Sequence, residues 1–183
     1  MRFNAPEYIA DYSKTGIFPA IHKNIVDMAL NHVQGRSGLD LCCSHGLLGQ
    51  QLANRGGYFM AGIDGDKRAV ELANENIDMP VYHMKVNRSS MDKIHNMLYM
   101  RDITFIVARR CLPELFGDDL EWGIEFFAAM REYGIRELVL EGRVATKNAV
   151  NPLHSLAAEI DLISNSYTPY QQTGNVAYLR AKK

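Results

Sequence analysis

Two runs, Leu39-Asp-Leu-Cys-Cys-Ser-His-Gly-Leu-Leu-Gly49 and Tyr58-Phe-Met-Ala-Gly-Ile-Asp64, predict the architecture of this chain. Each begins as a compact apolar segment, ends in small or acidic residues and is followed by apolar residues at helical spacing. A strand that leads through a helix into another strand is typical of a parallel sheet, because parallel strands need a crossover connection. The two runs therefore predict successive βα units.

Similar strand and helix patterns continue toward the C-terminus. Three further strands are predicted at residues 81–86, 103–108 and 136–140, and Asn151-Pro152 is expected to open the last helix. Two β-prone segments between Tyr167 and Arg180 surround a glycine turn, which favours a hairpin. The predicted fold class is α/β, with a doubly wound, mostly parallel seven-stranded sheet, helices on both faces and a C-terminal antiparallel hairpin.

Length and charge limit the classes of function. At 183 residues the chain has the size of one domain, with residues 1–36 as an added N-terminal segment and residues 37–183 as the core. The 20 basic and 21 acidic side chains leave a net charge of −1, which disfavours nonspecific binding of nucleic acid. No apolar stretch approaches the ~20 residues needed to cross a bilayer, and the N-terminus has no apolar signal core. We therefore expect a cytoplasmic protein without a membrane partner.

The cysteines and histidines form no recognisable disulfide or metal pattern. The three cysteines are Cys42, Cys43 and Cys111, an odd number of which two are neighbours. The six histidines are scattered, and neither a CxxC pair nor an HxxxH spacing occurs. The sequence therefore predicts neither a disulfide framework nor a bound metal.

The residues after the first two predicted strands have the chemistry of a nucleotide site. Ligands of such sheets bind at the carboxyl ends of the strands. The turn from Ser44 to Gly46 leads into a helix N-terminus, whose free N–H groups suit an anion or carboxylate. Asp64, directly before Gly65, can accept two hydrogen bonds from a ribose diol. The same turn also matches a dinucleotide-binding fingerprint, Ser44-x-Gly46-x-x-Gly49, that lacks its first glycine. An NAD(P)-dependent oxidoreductase is therefore an alternative function.

Taken from Asp40 instead, the turn is Asp40-x-Cys42-x-Ser44-x-Gly46. This pattern resembles motif I of the class I S-adenosylmethionine-dependent methyltransferases, acidic-x-Gly-x-Gly-x-Gly. Cys42 and Ser44 are small enough for close approach of a ligand, although neither takes a positive φ as easily as glycine. The resemblance continues through the second strand, with its terminal acid, and the helix after it. It covers roughly residues 37–183, with the hairpin similar to the one that holds the family's antiparallel seventh strand.

The resemblance implies an S-adenosylmethionine site. Asp40 would organise the loop near the methionine amino group, Asp64 would hold the ribose hydroxyls, and Asn87 would contact the adenine. The segment after the fourth strand would form the wall between cofactor and acceptor. The implied cofactor-binding residues are Asp40, Cys42, Ser44, Gly46, Asp64, Gly65, Asn87 and Arg109.

The same likeness implies where a methyl acceptor binds. N-terminal segments form lids over the cofactor in this family, so residues 1–36 are expected to act as a lid. No catalytic residue is assigned, because alignment of the acceptor for in-line attack on the sulfonium methyl can supply much of the acceleration. The candidates on the acceptor side are Tyr12, His45, Arg110, Glu141 and Arg143.

The segment Arg109-Arg-Cys-Leu-Pro113 limits the acceptor. It carries neither the Asp/Asn-Pro-Pro-aromatic motif of methyltransferases that act on exocyclic amines of DNA bases nor the Pro-Cys nucleophile of those that act on the cytosine ring. We therefore expect a small-molecule acceptor, with a protein as second choice and nucleic acid less favoured. A cofactor-binding protein of this fold without turnover also stays open, because two motif I glycines are replaced.

Overall fold

In a computed structural model, which describes residues 17–143 and 151–183, the chain forms one sheet of seven strands with helices packed against it. The strands are β1 (Ser37–Leu41), β2 (Phe59–Asp64), β3 (Val81–His83), β4 (Phe105–Arg109), β5 (Glu137–Glu141), β6 (Tyr167–Thr173) and β7 (Val176–Ala181). The helices are α1 (Ile17–His32), α2 (Leu47–Gly56), α3 (Lys67–Asn76), α4 (Met91–Met100), α5 (Leu112–Phe116), α6 (Leu120–Glu132) and α7 (Leu156–Ile163).

The strand order is β3-β2-β1-β4-β5-β7-β6. Strands β1 to β5 pair with one another in parallel, whereas β7 lies antiparallel between β5 and β6. The chain order reverses where β1 meets β4, and ligand crevices of open α/β sheets lie at such a point. The structure thus confirms an α/β fold with a seven-stranded sheet and a C-terminal antiparallel hairpin.

Alternate side chains of the strands enter two separate apolar clusters. Ile106 and Ala108 of β4 point into a cluster with residues of α4, α5, α6 and α7. Phe105 and Val107 of the same strand point into a second cluster with residues of α1, α2 and α3. Successive side chains of a strand face opposite sides of a sheet, so these contacts place helices on both faces.

Two predicted element boundaries differ clearly from the structure, whereas the bounds of the fourth and fifth strands shift by one or two residues. The third strand ends at His83 and not at residue 86, because its neighbour β2 ends at Asp64 and offers no further edge for pairing. The last helix begins at Leu156 and not at Asn151-Pro152. Asn151 uses its side chain to accept the Leu153 N–H at 2.8 Å in a local turn, and the Ser155 hydroxyl caps the helix by accepting the Ala158 N–H at 3.3 Å.

The N-terminal segment contributes to the core. Ile25, Val26 and Ala29 of α1 are fully buried in the cluster that covers one face of the sheet. This part of the segment 1–36 packs against the sheet, and the lid function of the segment stays a prediction. Residues 1–16, including Tyr12, lie outside the described residues, so their role stays a prediction. Among the described helices, none is long and apolar enough to span a membrane.

Candidate cofactor site

The loop between β1 and α2 follows the backbone course of a glycine loop. Cys42, Ser44 and Gly46 all adopt left-handed conformations, with φ values of 56°, 50° and 70°. A residue with a Cβ is disfavoured in this region by roughly 1–2 kcal/mol, whereas glycine is not. Cys42 and Ser44 thus carry side chains in a conformation that glycine adopts without strain, at the two positions where the motif I pattern has glycine.

Hydrogen bonds to β2 hold this strained loop. The Cys43 N–H donates to the Ile63 carbonyl at 3.0 Å, and the Ser44 N–H donates to Oδ2 of Asp64 at 2.8 Å. Within the loop, the Gly46 N–H donates to the Cys43 carbonyl at 2.8 Å. The end of one strand thus fixes the loop that follows its neighbour.

Asp64 occupies the centre of this arrangement. Its Oδ2 accepts the Ser44 N–H, and its Oδ1 accepts the Asp66 N–H at 2.8 Å. An ionised carboxylate has about four acceptor positions, so two remain for other donors. Gly65 lies between the two acids, and its carbonyl is 3.2 Å from Nε2 of His83. This geometry is compatible with the predicted ribose contact and adds a structural role for Asp64.

Asp40 is buried directly behind the loop. Its Oδ2 accepts the N–H of Gly49, in the first turn of α2, at 2.9 Å. Burial raises the pKa of Asp40 to about 7, and the negative charge of Asp64 adds to this rise. The hydrogen bond from Gly49 and the positive charge of Arg109 both oppose it. Near neutral pH, a cation that binds beside Asp40 would therefore favour the ionised form of this carboxyl group.

His45 lies in the same loop and is half-buried. Its Nδ1 is 2.9 Å from the Ser44 hydroxyl, while its Nε2 is buried without a hydrogen-bond partner among the described residues. Burial lowers the pKa of His45, against the charges of Asp64 and Asp66. Burial therefore favours the neutral form of the imidazole.

Three of the other predicted residues form an ion cluster at the ends of β4 and β5. Arg109 and Glu141 are register partners on these adjacent strands. The buried Glu141 carboxylate accepts from Nε of Arg109 at 3.1 Å and pairs with Nε of Arg110 at 2.8 Å. Arg110, with a left-handed φ of 56°, also donates its backbone N–H to the Glu141 carbonyl at 2.7 Å. One buried acid thus orients both arginines.

Known structures share this backbone, although no protein-family model and no curated protein sequence matches the chain. The chain is similar to the bifunctional kinase-methyltransferase WbdD over 99% of its own length and 43% of the WbdD chain, with 14% identity and a TM-score of 0.58. It is similar to a TehB-like SAM-dependent methyltransferase from Corynebacterium glutamicum over 97% of its length and 100% of that chain, with 16% identity and a TM-score of 0.60. A third similar structure is magnesium protoporphyrin IX methyltransferase from Synechocystis with bound SAM, covering 91% of this chain and 79% of that one (14% identity, TM-score 0.57).

The chain has the class I S-adenosylmethionine-dependent methyltransferase fold. At these identities the similarity concerns the fold, and the chain spans less than half of the WbdD chain. Within this methyltransferase fold, the loop after β1 and the end of β2 bring together Asp40, Cys42, Ser44, His45, Gly46, Asp64 and Gly65. The ends of β4 and β5 bring together Arg109, Arg110 and Glu141.

Two predicted residues lie apart from these groups. Asn87 is exposed at the start of a short 3-10 turn, where its Oδ1 accepts the Ser89 hydroxyl at 2.8 Å and its backbone N–H donates to the Ser90 hydroxyl at 3.1 Å. Its contact with adenine stays a prediction. Arg143 does not join Glu141; its guanidinium pairs with Glu114 of α5.

Two buried groups near the site were missed in the sequence. His22 of α1 lies 3.0 Å from the Gln51 amide nitrogen of α2, and burial, aided by the charge of Arg109, lowers its pKa to about 4. No local pattern predicts this contact, because it depends on how α1 packs. Glu159 of α7 is almost fully buried, and neither carboxylate oxygen has a hydrogen-bond partner among the described residues. Glu159 lies three residues after Leu156 and so on the same face of the helix, and this spacing could have indicated that Glu159 is buried.

Proposed function

We propose that this chain is an S-adenosylmethionine-dependent methyltransferase built as a single doubly wound, mostly parallel domain, and that its acceptor is a small molecule. The observation that carries the proposal is the left-handed conformation at positions 42, 44 and 46, combined with the anchoring of this loop on Asp64. A strained backbone course that persists without the glycines is expected where the course itself is functional. The similar structures, which are described as methyltransferases, support the same activity.

The residues present fit the cofactor. The free N–H groups at the start of α2 suit the carboxylate of the methionine part, and Asp40 lies behind them as a partner for its amino group. Asp64 has acceptor positions left for ribose hydroxyls, and Asn87 is the candidate for adenine. When bound, the cofactor supplies a methyl group on a positively charged sulfur.

The chain's own contribution is positioning. The ion cluster of Glu141 with Arg109 and Arg110 forms a rigid wall at the ends of β4 and β5, beside the loop that would hold the cofactor. His45 lies in this loop, and its buried Nε2 has no hydrogen-bond partner among the described residues, so His45 is the candidate that would orient an acceptor. Holding acceptor and methyl group in line is the main requirement for this transfer, so no dedicated base is assigned.

Local charge supports a small-molecule acceptor. Arg109 and Arg110 both pair with the same buried carboxylate, which reduces the positive field that a phosphate backbone would need. Burial lowers the pKa of His45 and so disfavours its cationic form, and the acids Asp40 and Asp64 lie close by. A protein acceptor is the second choice, and nucleic acid is the least favoured.

Calorimetric titration with S-adenosylmethionine tests the cofactor, and methylation assays with a panel of small acceptors test turnover. We expect saturable binding of S-adenosylmethionine and of its demethylated product, which Asp64→Ala weakens at least tenfold while the exposed Asp92→Ala leaves it unchanged. Tight binding of NADH without binding of S-adenosylmethionine would instead favour the oxidoreductase. Binding without methyl transfer to any small molecule or protein extract would favour a protein of this fold without turnover.

A further inference from the structure

A second concave site lies at the opposite ends of the strands from the cofactor loop. It is a cavity of about 780 Å³ beside the start of β2, bounded by the segment before β3 and by the end of α4. No predicted cofactor-site residue lines it. Its walls are rich in one flexible apolar residue type, supplied by Met60, Met79, Met84, Met97 and Met100. Methionine side chains adapt to irregular apolar surfaces and are frequent at protein binding sites.

Exposed apolar side chains surround this cavity. Phe59, Tyr99 and Met100 are 75%, 80% and 79% exposed, more than any other large apolar residue of the described chain. Phe59 and Met100 line the cavity, and Tyr99 is the neighbour of Met100. Together they present on the order of 400 Å² of apolar surface, a patch of the size that usually marks an interaction site. A stable dimer buries about 800 Å² per protomer, so these side chains supply roughly half of that area and the surrounding surface would supply the rest.

The sheet also leaves an edge open here. β3 pairs only with Gly62, Ile63 and Asp64 of β2. Within the described chain, the first half of β2, Phe59–Ala61, therefore has a paired strand on one side only, namely β1. Of these three residues only Phe59 is exposed, since Met60 and Ala61 are buried, so the accessible part of this edge is the start of the strand.

Two opposite charges complete the surface. Asp78 and Arg101 both line the cavity, and neither forms an ion pair with a described residue. Arg101 is held over the ring of Tyr82, with 5.2 Å between its guanidinium carbon and the ring centroid. In a two-fold symmetric dimer, both subunits use the same patch, so every contact between two different residues occurs twice. An acid and a base on one patch are therefore complementary to a second copy of the same patch.

We propose that this face is a homodimer interface, in which Tyr99 and Met100 of each copy enter the cavity of the other and Asp78 of each copy pairs with Arg101 of its partner. The same patch carries both the protruding side chains and the cavity that receives them, which is the self-complementarity that a two-fold interface requires. A small ligand in the cavity would leave the protruding rim exposed. The cofactor loops, at the other ends of the strands, stay accessible in both copies.

Analytical ultracentrifugation of the full chain over a range of concentrations tests the interface. We expect a dimer whose dissociation constant Met100→Asp raises at least about 100-fold, since each dimer then buries two further charges among the methionine side chains of the cavities. Leu120→Asp, at an exposed apolar residue on α6, is the matched control and should leave the dimer intact. Tyr99→Ser is a second variant with the same expected direction, because a ring that is 80% exposed contributes little to folding.

Charge reversal tests the geometry of the pairing. Asp78→Arg alone and Arg101→Asp alone should each weaken the dimer about tenfold or more, and the double variant Asp78→Arg with Arg101→Asp should restore it to within about threefold. A wild-type monomer at all concentrations, with or without a copurified small molecule or another protein, would overturn the proposal. A dimer that Met100→Asp and Tyr99→Ser leave intact, or a double variant as weak as the single ones, would overturn it as well.

Discussion

Asp64 accepts the backbone N–H of Ser44 at 2.8 Å, so the acid that ends β2 holds the loop that follows β1. This bond links the two motifs on which the cofactor proposal depends, although they are 20 residues apart in the chain. Its second oxygen holds Asp66, the capping residue of α3. Asp64 is therefore both a ligand candidate and a structural anchor, and its two roles can be separated experimentally.

Replacing Asp64 should affect stability and cofactor binding by different amounts. Asp64→Ala leaves two backbone N–H groups without acceptor, so we expect the free energy of unfolding to fall by about 1–3 kcal/mol. Asp64→Asn keeps one acceptor oxygen for the loop but loses the charge, and should restore part of the stability while binding of S-adenosylmethionine stays weak. Urea denaturation and calorimetry measure the two effects. Equal recovery of stability and affinity in Asp64→Asn would contradict a direct ribose contact.

A side chain at position 46 should cost more than the backbone conformation alone. An alanine Cβ at Gly46 would be strained at φ 70° and would lie 2.3 Å from Cδ1 of Ile77. Gly57 has a similar φ of 66° but no atom within 4 Å of such a Cβ, so Gly57→Ala is a control for the backbone cost alone. We expect about 1 kcal/mol of destabilisation for Gly57→Ala and about 2–4 kcal/mol for Gly46→Ala. Equal values in thermal or urea denaturation would show that Ile77 moves aside without cost.

Position 44 should gain stability from glycine. Ser44 is left-handed with φ 50°, and Ser44→Gly relieves that strain at the loss of one hydroxyl contact with His45. We expect the free energy of unfolding to change by about 0 to +1 kcal/mol. Cofactor affinity should be retained, because the backbone course is unchanged. A marked loss of affinity in calorimetry would instead assign the Ser44 side chain a direct role in binding.

Glu159 should make stability decline as pH rises. Burial raises its pKa from the ordinary 4.5 to about 7, opposed by Arg143. Between these two values the folded state holds a proton that the unfolded state has lost, so stability is full below about pH 4.5 and falls by about 3 kcal/mol as pH rises through 7. Glu159→Gln, neutral at every pH, should match the wild type near pH 5 and exceed it at pH 8 in urea denaturation. The exposed Glu132→Gln should show no such divergence, and identical pH profiles for wild type and Glu159→Gln would contradict a pKa of Glu159 that burial raises.

Asp40 should make the affinity for S-adenosylmethionine depend on pH. Its pKa of about 7 means that roughly nine-tenths of the free protein carries a neutral Asp40 at pH 6. The cofactor is a cation and prefers the ionised form, so its apparent affinity should rise about tenfold from pH 6 to pH 8. Asp40→Asn keeps an acceptor for the Gly49 N–H and should lose this dependence. Calorimetry at several pH values measures both, and a flat wild-type profile would contradict a role for Asp40 near the amino group.

Much of the fold could be predicted from local pattern. The apolar runs that became β1, β2, β4 and β5 are each buried on both faces of the sheet, and such strands have a continuous apolar composition. The C-terminal hairpin was marked by a glycine that takes φ 57° in its turn. The end of β3 at His83 was predicted wrongly because it depends on β2, which is distant in sequence. The start of the last helix was predicted wrongly because both Asn151 and Ser155 are suitable capping residues. Local pattern does not contain that information.

The candidate site divides in the same way. The sequence alone determined which side chains lie at or near the carboxyl ends of the strands. Because these ends share one edge of a parallel sheet, they could be grouped as one candidate site: Asp40, Ser44, Asp64, Arg109 and Glu141. Only the tertiary structure decided their partners. The pairing of Arg109 and Arg110 with Glu141 depends on β4 lying beside β5, and the His22 contact with Gln51 depends on α1 packing against α2. Hydrogen bonds and ion pairs act over a few ångströms, so they are set by the packing of elements and not by the spacing of residues along the chain.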